Sequence, residues 1–153
     1  MGRAQRWALW PEARRFHAAL QQPAAVQRNL LMDIVIHNAG TAYGRAHGFA
    51  QITGVADFRE RVPVVDYDAI EPYVARMRTG EQGVLTADPL VMFERSAGSS
   101  GASKTIPYTA ARLRQFQRAT SAWAWDLFTK HPVLRRTTQY WSVSPGGPRG
   151  EVT

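Results

Sequence analysis

The sequence predicts a helix-rich α/β fold, with several helices and a few short strands, on three observations. Apolar residues recur at helical spacing over several segments, the longest between residues 110 and 130. Short β-branched and aromatic runs appear near residues 91–93, 105–107 and 138–143. Glycine and proline fall between these segments, as they do where elements end. At 153 residues the chain has material for one domain with a real core.

Glu12 to Gln21 reads as a short helix, and Pro23 suits the first position of a second one running to about Asn38. Val26, Leu30, Ile34 and Val35 are its expected buried face. Gly40, Gly44 and Gly48 then interrupt the pattern and predict a loop or broken helix around Tyr43 and Phe49. Val55 to Arg61 forms a helical turn, and Val62 to Val65 is extended because a residue before proline is pushed out of the α region. Asp66 caps a helix starting at Tyr67, with Ile70, Val74 and Met77 on one face and Gly80 as its stop. Pro72, close to its first turn, is a point where that helix can divide in two.

Val91-Met92-Phe93 and Thr105-Ile106-Pro107 read as extended pieces on either side of a Ser/Gly loop. Thr109 caps the longest helix, Ala110 to Lys130, with Leu113, Phe116, Thr120, Trp123 and Leu127 along one stripe. Trp125 and Phe128 form a second stripe, so cover is expected around most of its circumference. Pro132 closes it, and Thr138 to Val143 is a last strand.

The composition excludes several classes. Cysteine is absent, which removes disulfides and thiolate metal sites. No run of about 18 apolar residues is present, so neither a membrane helix nor a membrane partner is expected. The first ten residues lack the apolar stretch of a signal peptide, and the expected location is the cytoplasm. The net charge of +7 raises a competing reading, a basic nucleic-acid-binding or interaction module. Of the 19 basic residues, however, only Lys104 and Lys130 are lysine, and the arginines are scattered rather than gathered in a stripe. Nucleic acid is therefore not the expected partner.

The residues suited to chemistry lie between Ser96 and Lys104. Gly98 and Gly101 permit positive φ and close backbone approach to a ligand. Successive N–H groups in such a turn can cradle an anion. Ser96, Ser99, Ser100 and Ser103 add hydroxyl donors, and Lys104 is a compact positive charge. Together they suit a polyphosphate, although Ser and Gly are also common in plain surface loops. A Walker A loop would need glycine at Ser103 and a helix starting there, which Ile106-Pro107 forbids. A nucleophile elbow fails too, since Gly98-Ser99-Ser100-Gly101 is one residue short of G-x-S-x-G.

Ser96-Ala97-Gly98-Ser99-Ser100-Gly101-Ala102-Ser103-Lys104 resembles the S-S-G-T-S-G-x-x-K loop of the auxin-responsive-promoter (Gretchen Hagen 3) family of acyl-acid amido synthetases, with Ala97 for the second Ser and Ser99 for Thr. Three further blocks resemble that family in the same order. They are Asn38-Ala39-x-Thr41-x-Tyr43-Gly44 with His47-Gly48-Phe49, then Phe58 to Tyr67 with Glu71-Pro72-Tyr73 and Arg76, and last Tyr140 to Pro145. The resemblance spans about Leu30 to Pro145. It implies an incomplete N-terminal portion of the large domain of an adenylate-forming enzyme, residues 1–153, with residues 1–22 as an N-terminal helical extension.

The resemblance also implies an activity. Family members activate a small-molecule carboxylic acid with ATP and Mg²⁺, then transfer the acyl group to an amino acid. Ser96, Gly98, Ser99, Ser100, Gly101 and Lys104 would hold the β- and γ-phosphates. Because family enzymes are several times longer, this chain is expected to be a fragment and inactive by itself, with no catalytic residue assigned.

Other candidates have plainer explanations. Asp66, Asp68 and Glu71 fit the acidic first turn of a helix better than a carboxylate pair. His17, His37, His47 and His131 lack metal-site spacing, so no metal ligand is assigned. Trp123, Trp125 and Phe128 are expected to be core rather than a base-stacking platform.

Overall fold

A computed structural model describes residues 3–96, 104–138 and 140. The chain divides into two compact units. One joins the N-terminal helix to the long helix that follows the strands. The other is formed by residues 25–110.

In the first unit, α1 (Arg3–Ala19) and α6 (Ala110–Lys130) carry the structure. The helix expected from Glu12 begins instead at Arg3 and runs through Pro11. An interior proline costs roughly 3 kcal/mol, and packing on both sides of it offsets that. Trp7 and Trp10 lie against Trp125, with ring centroids 6.2 and 4.9 Å apart, and Ala13 is fully buried. Glu12 accepts a hydrogen bond from Arg118 Nε at 2.9 Å, and His17 Nε2 lies 3.2 Å from Asp126. Within this unit α1 therefore packs on α6 through Trp7, Trp10, Glu12 and His17.

On α6 the buried residues are Ala122, Trp125 and Phe128. The expected stripe through Phe116 and Trp123 faces outward, with these rings 58% and 53% exposed. The second stripe holds the buried rings, with Trp125 against Trp7 and Trp10, while Leu113, Thr120 and Leu127 of the first are half-buried. Trp123 is accordingly not the core residue expected. A 3-10 segment, Pro132–Arg136, follows α6, and Arg135 Nε donates to the Phe128 carbonyl at 2.7 Å, satisfying one of the orphan carbonyls of the helix end. Thr138 and Tyr140, expected in a strand, lie outside regular structure, and residues 141–143 lie outside the described residues.

The second unit starts with α2 (Pro23–His37), which ends where the sequence predicts. Its buried face differs. Val35 alone of the four expected residues is buried, packed with Phe49 and Ile52, while Val26, Leu30 and Ile34 are exposed. Leu31, Met32 and Ala39 complete the inner face. One residue turns a helix by 100°, and it is the row through Leu31 and Val35 that meets the core.

The glycine-interrupted stretch becomes α3 (Ala42–Ala46) and a 3-10 turn at Phe49–Gln51, joined by Gly48 at φ 61°. Then come α4 (Val55–Arg61), an extended connection, and α5 (Tyr67–Arg78). Asp66 Oδ1 accepts from the Ala69 N–H at 3.2 Å, the cap expected of it. Pro72 does not divide α5. Val74 and Met77 are buried, and Gly80 ends the helix region at φ 91°.

Strands β1 (Leu90–Arg95) and β2 (Thr105–Thr109) form an antiparallel hairpin with a bulge between Leu90 and Met92. Met92 pairs with Tyr108, Phe93 with Pro107 and Arg95 with Thr105. By the alternation of such ladders, Pro107 falls where its nitrogen faces away from β1, so no ladder bond is lost.

Candidate phosphate-binding site

The hairpin brings the two ends of the Ser/Gly loop together. Ser96 N–H donates to the Lys104 carbonyl at 2.9 Å, and Lys104 N–H donates to Ser96 Oγ at 3.1 Å. This pair closes the ladder immediately below the loop. Of the predicted site residues the structure therefore places Ser96 and Lys104 side by side. Gly98, Ser99, Ser100 and Gly101 lie outside the described residues.

Lys104 is exposed, and none of the described carboxylates pairs with it. Its ammonium sits over the ring of Tyr67, 5.6 Å from the centroid. An exposed cation that no described carboxylate neutralises, at the end of the Ser/Gly loop, suits an incoming polyanion. The strand–loop–strand setting also excludes a Walker A arrangement, in which the phosphate meets a helix N-terminus.

Tyr67 is the residue the sequence reading left without a role. Its hydroxyl donates to the Thr105 carbonyl at 3.1 Å and accepts from the Thr105 N–H at 3.0 Å. The signal for it was the tyrosine that closes the block Val62-Pro63-Val64-x-x-Tyr67. That block fixes its place: the chain is extended through Pro63 and turns at the Asp66 cap, so Tyr67 opens α5 beside β2.

The other family-like blocks build the support. Thr41 Oγ1 donates to the Asn38 carbonyl at 2.8 Å and accepts from the Gly44 N–H at 2.9 Å. Asn38 in turn accepts from the Ala87 N–H at 2.9 Å through Oδ1, fixing the approach to β1. His37 Nε2 lies 3.0 Å from Asp88 in the same segment. Tyr43 N–H donates to the Val84 carbonyl at 3.0 Å, and its ring meets Tyr73 edge-on at 5.3 Å. Burial pushes the Tyr43 phenol above its ordinary value, and Tyr73 adds to the effect.

Several acidic and basic residues elsewhere pair with one another. Glu71 pairs with Arg78 at 2.8 Å, and Arg76 Nε donates to Glu81 at 2.9 Å, which holds the Glu81 carboxyl below its ordinary value. Among the described residues no group of three or more His, Asp or Glu side chains is placed to hold a metal ion. No described helix is long and apolar enough to cross a membrane.

Comparison with known proteins gives a consistent result. A family profile described as the GH3 family N-terminal domain matches residues 12–144. A probable indole-3-acetic acid-amido synthetase, GH3.12 of Oryza sativa subsp. japonica, is 37% identical over 101 residues, covering 65% of this chain and 16% of the relative. The jasmonoyl–L-amino acid synthetase GH3.3 of the same plant is 37% identical over 86 residues, covering 56% and 19%. The solved structure of the AtGH3.15 acyl acid amido synthetase in complex with 2,4-DB matches with a TM-score of 0.69 at 27% identity, over 84% of this chain and 22% of that one. This chain therefore spans less than a quarter of the length of these relatives. With the profile matching most of its residues and its helix-rich fold matching the N-terminal part of a solved synthetase, the chain belongs to the GH3 family.

Proposed function

We propose that this chain is the N-terminal, phosphate-holding part of an ATP-dependent acyl-acid amido synthetase of the cytoplasm. Its substrates are a small-molecule carboxylic acid, ATP and an amino acid. The observation that carries the reading is the hairpin closed by Ser96 and Lys104, which holds at the rim of the loop an exposed ammonium that none of the described carboxylates pairs with. The names of the relatives, which are amido synthetases of acyl acids, support the same reading.

When the carboxylate attacks the α-phosphorus of ATP, the leaving pyrophosphate needs fixed positive charge and donors. Lys104 supplies the charge, and Ser96, Gly98, Ser99, Ser100 and Gly101 supply hydroxyl and backbone donors around it. Mg²⁺ would arrive with the nucleotide and would offset part of its phosphate charge. Stabilising the leaving group is one part of adenylation, and a segment this short relative to its relatives is expected to be inactive alone.

The test is ATP–pyrophosphate exchange by a polypeptide in which this chain precedes the remaining portion of a GH3 synthetase. Lys104→Ala should lower the rate by about 10² or more, the usual loss from deleting one preorganised charge stabiliser. An unchanged rate would remove Lys104 from the site.

A further inference from the structure

Phosphate binding by a surface lysine requires its long side chain to be held near the anion, and the structure assigns that task to Tyr67. We propose that Tyr67 is a positioning residue for Lys104, acting through its ring on the ammonium and through its hydroxyl on the backbone that follows. The proposal rests on the phosphate reading above and adds to it a residue that never touches the anion.

The register explains the hydroxyl. Ser96 and Lys104 form a hydrogen-bonded pair, so the neighbouring pair, Arg95 and Thr105, turns its backbone groups outward. On β2 this leaves the Thr105 N–H and carbonyl facing an open edge, at a residue only 6% exposed. Buried backbone groups require partners. One hydroxyl serves both, accepting at 3.0 Å and donating at 3.1 Å. Tyr67 thereby takes the place of a third strand at the residue next to Lys104.

The ring explains the lysine. With Thr105 pinned, the adjacent Lys104 ammonium comes to rest 5.6 Å from the Tyr67 ring centroid, within cation–π range. A lysine side chain otherwise retains much rotamer freedom, which binding an anion must remove. Ring contact restricts that freedom beforehand, while leaving the ammonium exposed and, among the described residues, without a carboxylate. A purely structural tyrosine would need only the hydroxyl. The two functions separate by substitution: Tyr67→Phe keeps the ring and removes the hydroxyl, while Tyr67→Leu removes both.

The chain contains only two lysines, Lys104 and Lys130. Reductive ¹³C-methylation of the whole chain, which preserves their charge, therefore gives two assignable side-chain NMR signals besides the N-terminal amine. The Lys104 signal should lie upfield of Lys130 in the parent and, by a smaller margin because Thr105 is no longer pinned, in Tyr67→Phe. In Tyr67→Leu it should move to its position in urea, with a thermal melt confirming that each variant is folded. Inorganic pyrophosphate should shift Lys104 and not Lys130, and Tyr67→Leu should weaken that binding about two- to fivefold. A Lys104 signal already at its urea position in the folded parent, unmoved by Tyr67→Leu, or lost equally in Tyr67→Phe, overturns the positioning role. A normal ring shift with no response of Lys104 to pyrophosphate overturns the phosphate reading instead, and the role of Tyr67 with it.

Discussion

Gly44→Ala places a methyl group where the fold has no room. A Cβ built on Gly44 lies 2.1 Å from the Asn38 carbonyl oxygen, 3.0 Å from Thr41 Oγ1 and 3.1 Å from the Ala39 carbonyl. Close carbon–oxygen contacts run to about 3.3 Å, so the Asn38 carbonyl must retreat by roughly 1 Å. That carbonyl accepts from Thr41 N–H at 3.1 Å and Thr41 Oγ1 at 2.8 Å, and Thr41 Oγ1 also caps Gly44 N–H at 2.9 Å. Weakening two hydrogen bonds at about 1 kcal/mol each and one cap at about 1 kcal/mol gives about 3 kcal/mol. Alanine returns up to ~1 kcal/mol through helix propensity. The net loss is about 2 kcal/mol, or a fall in melting temperature of roughly 4–8 °C for a chain of this size. Thermal and urea unfolding followed by circular dichroism measure it. Gly40→Ala is the control, since nothing lies within 4 Å of its Cβ and its φ is not positive, and it should be neutral or slightly stabilising. If Gly44→Ala matches Gly40→Ala, the argument that this block is shaped by close packing fails.

Asp57 accepts from Thr53 Oγ1 at 2.6 Å and Thr53 N–H at 2.8 Å, in the first turn of α4, and the Thr53 hydroxyl foremost holds its carboxyl below the ordinary value. Its contribution is present above the ordinary carboxylate pKa of about 4 and is lost as pH falls through the lower folded value. Asp57→Asn should thus lower the urea midpoint at neutral pH, with the gap from the parent closing under acid; a gap constant with pH would contradict this. Pro11→Ala should stabilise α1 by about 1–3 kcal/mol, since it restores a helix hydrogen bond without touching Trp7 or Trp10. A drop in melting temperature would count against it. Phe116→Lys should reduce binding of an apolar dye while changing stability by less than about 0.5 kcal/mol, because its ring is over half exposed. A loss of stability like that expected for a buried ring would contradict the exposure. Trp123, by contrast, lines an apolar cleft of about 270 Å³ with Leu127, Phe128, Leu134 and Tyr140.

The local elements were legible wherever local chemistry decides them. Asp66 capping α5 and the extension forced before Pro63 both follow from backbone rules that need no tertiary partner. Errors arose where partners decide. Nothing near Pro11 in sequence reveals that Trp125, more than a hundred residues away, will hold the helix turn just before it. The same holds for the faces of α2 and α6. Periodicity identifies an apolar stripe, but both helices carry more than one, and only the neighbour selects which is buried. At the site, Ser96 and Lys104 were legible because a Ser/Gly loop with a lysine is a chemical pattern. Tyr67 was not, since its contact to Thr105 spans 38 residues and depends on which edge of β2 is open. The block containing Tyr67 was visible as a resemblance, and only the hydrogen bonds give it a physical reason.

The central claim is that the turn between Ser96 and Lys104 binds the β- and γ-phosphates of a nucleotide. Equilibrium titration of the chain with Mg²⁺–ATP and with AMP, followed at the Lys104 side chain, tests it most directly. ATP should perturb Lys104 and AMP should not. In a Lys104→Ala chain, read by calorimetry, ATP affinity should fall at least about tenfold, the loss of one charge-assisted hydrogen bond. Equal responses to ATP and AMP, or an affinity for ATP that Lys104→Ala leaves intact, would contradict the account.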